Sequence, residues 1–280
     1  MKFGFSLLLW TVSIQPRHAP IFARLGEIGY DGAEVPVGMG APADFDEVKR
    51  YADDAGLSCT ACALVTPDTD PSSADASVRR AALDYLNSRV ECAAVLGSSV
   101  LVGPLYAAHK NFSEPPPSAD ARARAAEVLV QVAENAEAAG LTLCLEPLNR
   151  FEIQLVNTCE DARRIVDLAD CSHLAVHYDS HHGHIEEQSH ASALAACGPH
   201  LGHVQLSESH RGTLSSGQVD WPALAQALQA VEYDGWIVAE CFGTAVEHLS
   251  SAACVHRNCF ESRDQLMQSS LPFMADLLGC

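Results

Sequence analysis

Three things are scarce in this 280-residue chain, and each scarcity excludes a class of function. Basic residues are few, 17 Lys and Arg against 36 Asp and Glu, a formal charge of −19. Nucleic-acid binding draws on a basic face, so no nucleic-acid partner is expected. No run of eighteen apolar residues occurs, so no membrane span is expected. The opening MKFGFSLLLWT has one lysine, a short apolar run and no clean small-residue cleavage site, and reads as a first strand rather than a leader. Paired metal-ligand cysteines are missing too. Cys59 and Cys62 form a lone CxxC inside a strand-like run, with no second pair. The other cysteines are scattered through apolar segments, which suits small core residues in a reducing cytoplasm.

What is present is alternation. Strand-like runs fall at Phe3–Leu9, Ala33–Val37, Cys59–Val65, Ser99–Leu105, Leu141–Leu145, Leu174–Tyr178, Leu201–Leu206 and Trp236–Ala239. Helix-like runs lie between them, at Ile21–Ile28, Asp44–Ala55, Ser77–Val95, Ala121–Ala139, Asp161–Leu168, His190–Cys197 and Asp220–Val231. Gly56, Gly97 and Gly140 close helices, and the triplet Pro115–Pro117 with Ser118 breaks and restarts the chain. Eight such units predict an α/β fold, a single (β/α)8 TIM barrel over residues 1–280 with a C-terminal helical extension from Ala245 to Cys280. A doubly wound sheet with added helices is the competing architecture.

The last four strands each finish on a polar side chain. LTLCLEP stops at Glu146, where Pro147 ends the ladder. LAVHYD ends in Asp179, LGHVQLSES carries Gln205 with Glu208 beyond, and WIVAECF ends in Glu240. Active-site groups of such barrels sit at the C-terminal strand ends, and neighbouring strands lie about 4.8 Å apart. Carboxylates aimed at one point repel unless a cation lies among them. An all-oxygen donor set of Glu146, Asp179, Gln205 and Glu240 favours a hard divalent ion, Mn²⁺, Mg²⁺ or Co²⁺. Among the neighbours, Arg150 is expected to pair with a carboxylate and fix its loop, and the His181–His184 cluster to form a loop with His182 turned inward. Trp10, Tyr106 and Phe151 are candidate apolar walls, with core packing the better reading of any single one.

The strings LEPLNRFE, HYDSHHGHIEE, GHVQLSESHRG and YDGWIVAECFG resemble the xylose-isomerase-like sugar isomerase/epimerase barrels, most of all the ketose 3-epimerase branch (tagatose and psicose 3-epimerases). That resemblance implies a metal, with manganese the expected ion, on Glu146, Asp179, Gln205 and Glu240. It makes Glu146 and Glu240 the acid/base pair that epimerises a free ketose at carbon 3 through a cis-enediolate. It also implies substrate contacts from Glu152, His182, Arg211 and Glu34, and a cytoplasmic homodimer or homotetramer. The departure is Gln205, where the branch has histidine and the related hydroxypyruvate isomerases look to have glutamine. His203 shares its face but not its depth. An aldose–ketose or hydroxypyruvate-type isomerase, a metal-dependent lyase or deglycosidase on an oxidised glycoside, and a non-catalytic metal-binding protein are the alternatives.

Overall fold

The computed structural model describes residues 1–114 and 116–279. Eight parallel strands close on themselves in chain order: β1 (Lys2–Ser6), β2 (Gly32–Pro36), β3 (Ser58–Cys62), β4 (Val100–Gly103), β5 (Thr142–Leu145), β6 (Leu174–Asp179), β7 (Leu201–Leu206) and β8 (Trp236–Ala239). The ring is sealed where β1 pairs with β8, Phe5 opposite Ala239. Around it run α1 (Ala19–Ile28), α2 (Phe45–Asp54), α3 (Ala76–Val95), α4 (Ala119–Ala138), α5 (Cys159–Ala169), α6 (Ser180–Glu186), α7 (His190–Cys197), α8 (Trp221–Ala230), α9 (Glu247–Ala252) and α10 (Arg263–Leu278). The fold is the TIM barrel, and the doubly wound alternative is excluded by closure. No helix of the described residues is long and apolar enough to cross a membrane.

Strand alternation divides the barrel into two cores. Outward residues such as Phe5, Val35, Leu143, Val176 and Val204 join the helices in a large apolar layer. Inward residues are small, with Cys62, Val100, Val102, Cys144 and Ala175 packed in the lumen. Small side chains there leave room for polar ones above: Glu34, Thr60, His177, His203 and Gln205 are all buried. The ladder between β6 and β7 slips between Val176 and His177, so that His177 faces His203 and Asp179 faces Gln205. The slip falls at Gly202, where a Cβ would press on Ala175 and Cys144. It brings the two polar pairs to matching depths.

The strand reading from sequence differs from the structure mainly in length. β1 stops at Ser6 and Leu7–Leu9 turns as a 3-10 helix, while β3 stops at Cys62 rather than Val65. The His181–His184 segment is a helix, α6, not a loop. Asp179 caps it, its Oδ1 accepting the His181 N–H at 2.7 Å. The C-terminal extension is α9 and α10, and α10 is docked where Tyr30 Oη donates to the Met267 carbonyl at 2.9 Å. The break expected at Pro115 and the terminal Cys280 lie outside the described residues. Among the described residues seven cysteines are buried, and burial pushes the Cys59 and Cys144 thiols up to about 12. This is the behaviour of small core residues rather than ligands.

Candidate active site

Glu146, Asp179, Gln205 and Glu240 stand together at the C-terminal mouth of the barrel. The ladder continues one residue beyond β5 and β8, because Glu146 N–H donates to the Gly103 carbonyl and Glu240 N–H to that of Leu206, at 3.0 and 2.9 Å. Both carboxylates are thereby held as rigidly as strand residues. Each of the four residues is at most 8 % exposed.

Arg211 binds this group together. Its Nη1 donates to Asp179 Oδ2 at 2.8 Å, Glu240 Oε2 at 2.7 Å and Ser207 Oγ at 3.1 Å. The guanidinium lies on the Phe242 ring, 5.0 Å from its centroid. The Arg211 backbone has φ +61°, a conformation that favours glycine. Two backbone bonds hold it there, Arg211 N–H to Glu208 O and Phe242 N–H to Arg211 O, both 2.8 Å. Glu208 does not enter the site. Burial alone would raise its pKa, but the Ser209 and Val219 N–H groups and the Trp221 indole hold it below the usual value, and the carboxylate anchors the loop that carries Arg211.

One guanidinium does not balance three buried carboxylates. Burial pushes Glu146 well above the usual carboxylate range, with Glu240 and Asp179 adding repulsion. Glu240 is raised for the same first reason against the opposing pull of Arg211, and Asp179 is raised less. The Gln205 amide supplies a further clue. Its Oε1 is buried with no hydrogen-bond partner among the described residues, while its Nε2 donates to Glu34 Oε1 at 2.6 Å. An orphaned buried carbonyl beside excess negative charge is a site that fits a hard divalent cation. Glu146, Asp179 and His182 also offer ligand atoms within 4.8 Å of one another, as do Glu152, His181 and His182. In the second group His181 Nδ1 is turned to the Glu208 carbonyl at 3.2 Å, and the Glu152 oxygens are already engaged.

His182 is placed by the loop after β5. Its Nδ1 accepts the Asn149 backbone N–H at 3.0 Å, so the neutral ring carries its proton on Nε2. Burial, with Arg211 next, holds its pKa well below the ordinary imidazole value. Nε2 stands 2.9 Å from Arg211 Nη2, which can only donate; with Nδ1 accepting, this contact sets two N–H groups side by side rather than making a hydrogen bond. Asn149 Nδ2 donates to Glu152 Oε1 at 2.8 Å, and His109 Nε2 lies 3.1 Å from Glu152 Oε2. Burial opposes ionisation of Glu152, yet the His109 bond and Arg211 bring its pKa below the usual value. Arg150 makes a two-pronged pair with Glu186, Nε to Oε1 at 2.9 Å and Nη2 to Oε2 at 2.8 Å, and so ties this loop to α6.

A cavity of about 640 Å³ opens over these groups. Glu146, Glu152, His182, Gln205, Arg211 and Glu240 form its polar end. Its remaining wall is largely apolar, with Leu8, Val12, Met39 and Leu64 from the β1–β3 side and Phe242 and Leu249 after β8. Glu34 is placed beneath this floor rather than along the wall. It is fully buried, facing Gln205, His203 and Thr60, because its strand position points into the lumen. Tyr106 is also fully buried and bonds the Glu146 and Val156 carbonyls, Phe151 is 66 % exposed, and Trp10 packs on Phe5. None of those three aromatics lines the cavity. Sequence reading missed His109, Cys62 and Phe242. Phe242 carried a signal, lying two residues past Glu240 and so in phase with it; His109, on a loop, carried none.

Comparison with known proteins agrees with this geometry. The chain is 31% identical to a ketose 3-epimerase of Arthrobacter globiformis over 282 residues, 99% of this chain and 97% of that one. It is 31% identical to an L-ribulose 3-epimerase of Mesorhizobium japonicum, covering 98% and 93%. The crystal structure of a D-allulose 3-epimerase from Methylomonas sp. in complex with D-allulose superposes with a TM-score of 0.92 at 28% identity, over 99% of this chain and 96% of that one. The family profile described as xylose isomerase-like TIM barrel matches residues 22–276. With the closed barrel, the acid-rich mouth and relatives that are sugar epimerases over their whole length, the chain belongs to the xylose isomerase-like TIM barrel family of enzymes.

Proposed function

We propose that the protein is a metal-dependent ketose 3-epimerase acting on an unphosphorylated sugar. The observation that carries the reading is the meeting of Glu146 and Glu240 with Asp179 and the unpartnered Gln205 oxygen at the base of a sugar-sized cavity. Relatives named as ketose and L-ribulose 3-epimerases support it across nearly all of the chain.

Glu146, Asp179, Gln205 and Glu240 would hold the ion, Mn²⁺ being favoured over Mg²⁺ or Co²⁺. When bound, a divalent ion supplies Lewis acidity toward the oxygens on carbons 2 and 3 of the ketose. One of the two glutamates takes the proton from carbon 3, leaving a cis-enediolate. The other returns a proton on the opposite face, and carbon 3 is inverted. In the ion-free protein burial raises both; a bound ion would draw both toward the ionised form, leaving one free to take the proton and the other to return it once protonated. His182 Nε2–H and the Arg211 guanidinium donate toward the carbonyl oxygen, whose negative charge grows as the proton leaves. Glu152, steadied by Asn149 and His109, accepts a hydroxyl of the same end.

The test is incubation of ketopentoses and ketohexoses with Mn²⁺ in D₂O, following carbon 3 by NMR. Epimer carrying deuterium at carbon 3 is the expected result. No exchange and no epimer across the panel overturns the reading. A hydroxypyruvate-type or aldose–ketose isomerase is the second reading, favoured by Gln205 alone, and it places the label on another carbon. Action in the cytoplasm, one domain over 1–280 and assembly as a homodimer or homotetramer belong to the same proposal. Light scattering of the purified chain checks the last.

A further inference from the structure

Beneath the site, three strands contribute to one buried hydrogen-bond group. Glu34 on β2 accepts from Gln205 Nε2 at 2.6 Å through Oε1, and its Oε2 lies 2.9 Å from His203 Nε2 and 3.4 Å from Thr60 Oγ1. Glu34 and His203 are fully buried and Gln205 nearly so. Gln205 also lines the cavity, and its carbonyl oxygen is the end left without a partner.

An amide has two ends of nearly equal size and opposite chemistry. The oxygen is a ligand for a hard cation, whereas the NH₂ group repels one. Left to itself beside Glu146, Asp179 and Glu240, the Gln205 amide would turn its NH₂ toward those carboxylates, where it finds ready acceptors. Glu34 offers a competing acceptor from the opposite side, at short range and out of water, where such a bond is strong.

We propose that Glu34 is a positioning residue that fixes the Gln205 amide with its oxygen toward the metal site, and so makes the donor set all-oxygen and selective for hard ions. The inference rests on the metal reading given above, and it adds why this chain works with glutamine on β7. Glu34 would hold a side chain at 205 that has both an N–H and an acceptor, such as glutamine or histidine, by its N–H and present the acceptor atom upward. Groups behind a ligand commonly change metal affinity by about 10–100-fold.

Calorimetric titration of the ion-stripped full-length protein with MnCl₂ and ZnCl₂ tests this, with the melting temperature of each ion-free variant measured alongside. Glu34→Met, close in shape but without an acceptor, is expected to weaken Mn²⁺ binding at least about tenfold. In a Gln205→Leu background the same change should have no further effect, since Glu34 acts through Gln205. Wild-type Mn²⁺ affinity in a folded Glu34→Met, or an equal loss in the Gln205→Leu background, overturns the inference. If Glu34→Met does not fold, Gln205→His carries the test. With Glu34 holding one ring N–H, the other nitrogen faces the site, and preference should move from Mn²⁺ toward Zn²⁺ about tenfold or more. An unchanged Zn²⁺/Mn²⁺ ratio rejects the inference. Failure of the metal reading shows differently, as wild type and Glu146→Gln both taking up no Mn²⁺.

Discussion

The backbone N–H of Asn149 reaches Nδ1 of His182 at 3.0 Å, and this bond decides which ring nitrogen carries the proton. Because Nδ1 accepts, Nε2 donates into the site. His182→Asn is therefore expected to lower kcat/KM by about 10²-fold, the usual loss for one donor to a developing oxyanion. Mn²⁺ affinity should stay within about threefold of wild type, an expectation resting on His182 serving the sugar and not the ion. Loss of Mn²⁺ binding in the variant would make His182 a ligand with Glu146 and Asp179 instead. An ¹⁵N-detected spectrum of the ring should show the proton on Nε2.

Metal uptake should release protons. Burial raises Glu146 and Glu240, so in the ion-free protein they hold protons at pH values where ordinary carboxylates do not. Binding a cation requires both ionised, so apparent Mn²⁺ affinity should climb as pH rises above the ordinary carboxylate range, with protons released as the ion is taken up. Calorimetry in two buffers of different ionisation enthalpy measures the count. Uptake without proton release contradicts the assignment. The same raised values make these two groups favour the ion-free fold at low pH, a contribution lost as pH rises through them.

Histidines have the opposite sign. His177 is buried with neither ring nitrogen hydrogen-bonded among the described residues, and burial holds its pKa well below the ordinary value. His181 is brought down to about 3, again chiefly by burial. Such groups stabilise the fold above their unfolded pKa of about 6.5, and that contribution is lost as pH falls, by up to about 1.4 kcal/mol per pH unit for each proton. Replacing His177 with Phe should flatten the decline in thermal stability between about pH 6.5 and 5. An unchanged slope would show that His177 is protonated in the native protein.

Gly103, closing β4 beside Glu146, has φ +131°, and a Cβ there would press onto the Ala63 carbonyl oxygen. Gly103→Ala should cost about 2–4 kcal/mol in chemical denaturation, and should lower Mn²⁺ affinity as well, since Glu146 hangs from the Gly103 carbonyl.

The barrel was legible because burial on both faces leaves apolar runs with sharp ends. Leu201–Leu206 and Trp236–Ala239 were read with the bounds that the structure has. The acids stood out for the same reason, each being the first charge after such a run. The helix after β6 was not legible. Its start depends on the Asp179 side chain, which sequence assigns wholly to the site, and SHHGHIE has no apolar period. Glu34 was visible as the one charge in its strand-like run, but its direction was not, since that depends on which parity faces the lumen. The aromatics show the same limit: core packing was the better reading of each, and Tyr106 and Trp10 are packed, but Phe151 is exposed, because only packing decides which way a ring points.

Part of the cavity's apolar wall lies on a different arc of the ring from its acids. The acids stand on β5 to β8, whereas Leu8, Val12, Met39 and Leu64 come from the segments that follow β1, β2 and β3. A change in those early segments is expected to reshape that apolar side of the cavity while leaving Glu146, Asp179, Gln205 and Glu240 in place. Appetite for longer or bulkier sugars is thus open to alteration by exchange of three short connections, with the turnover machinery inherited intact.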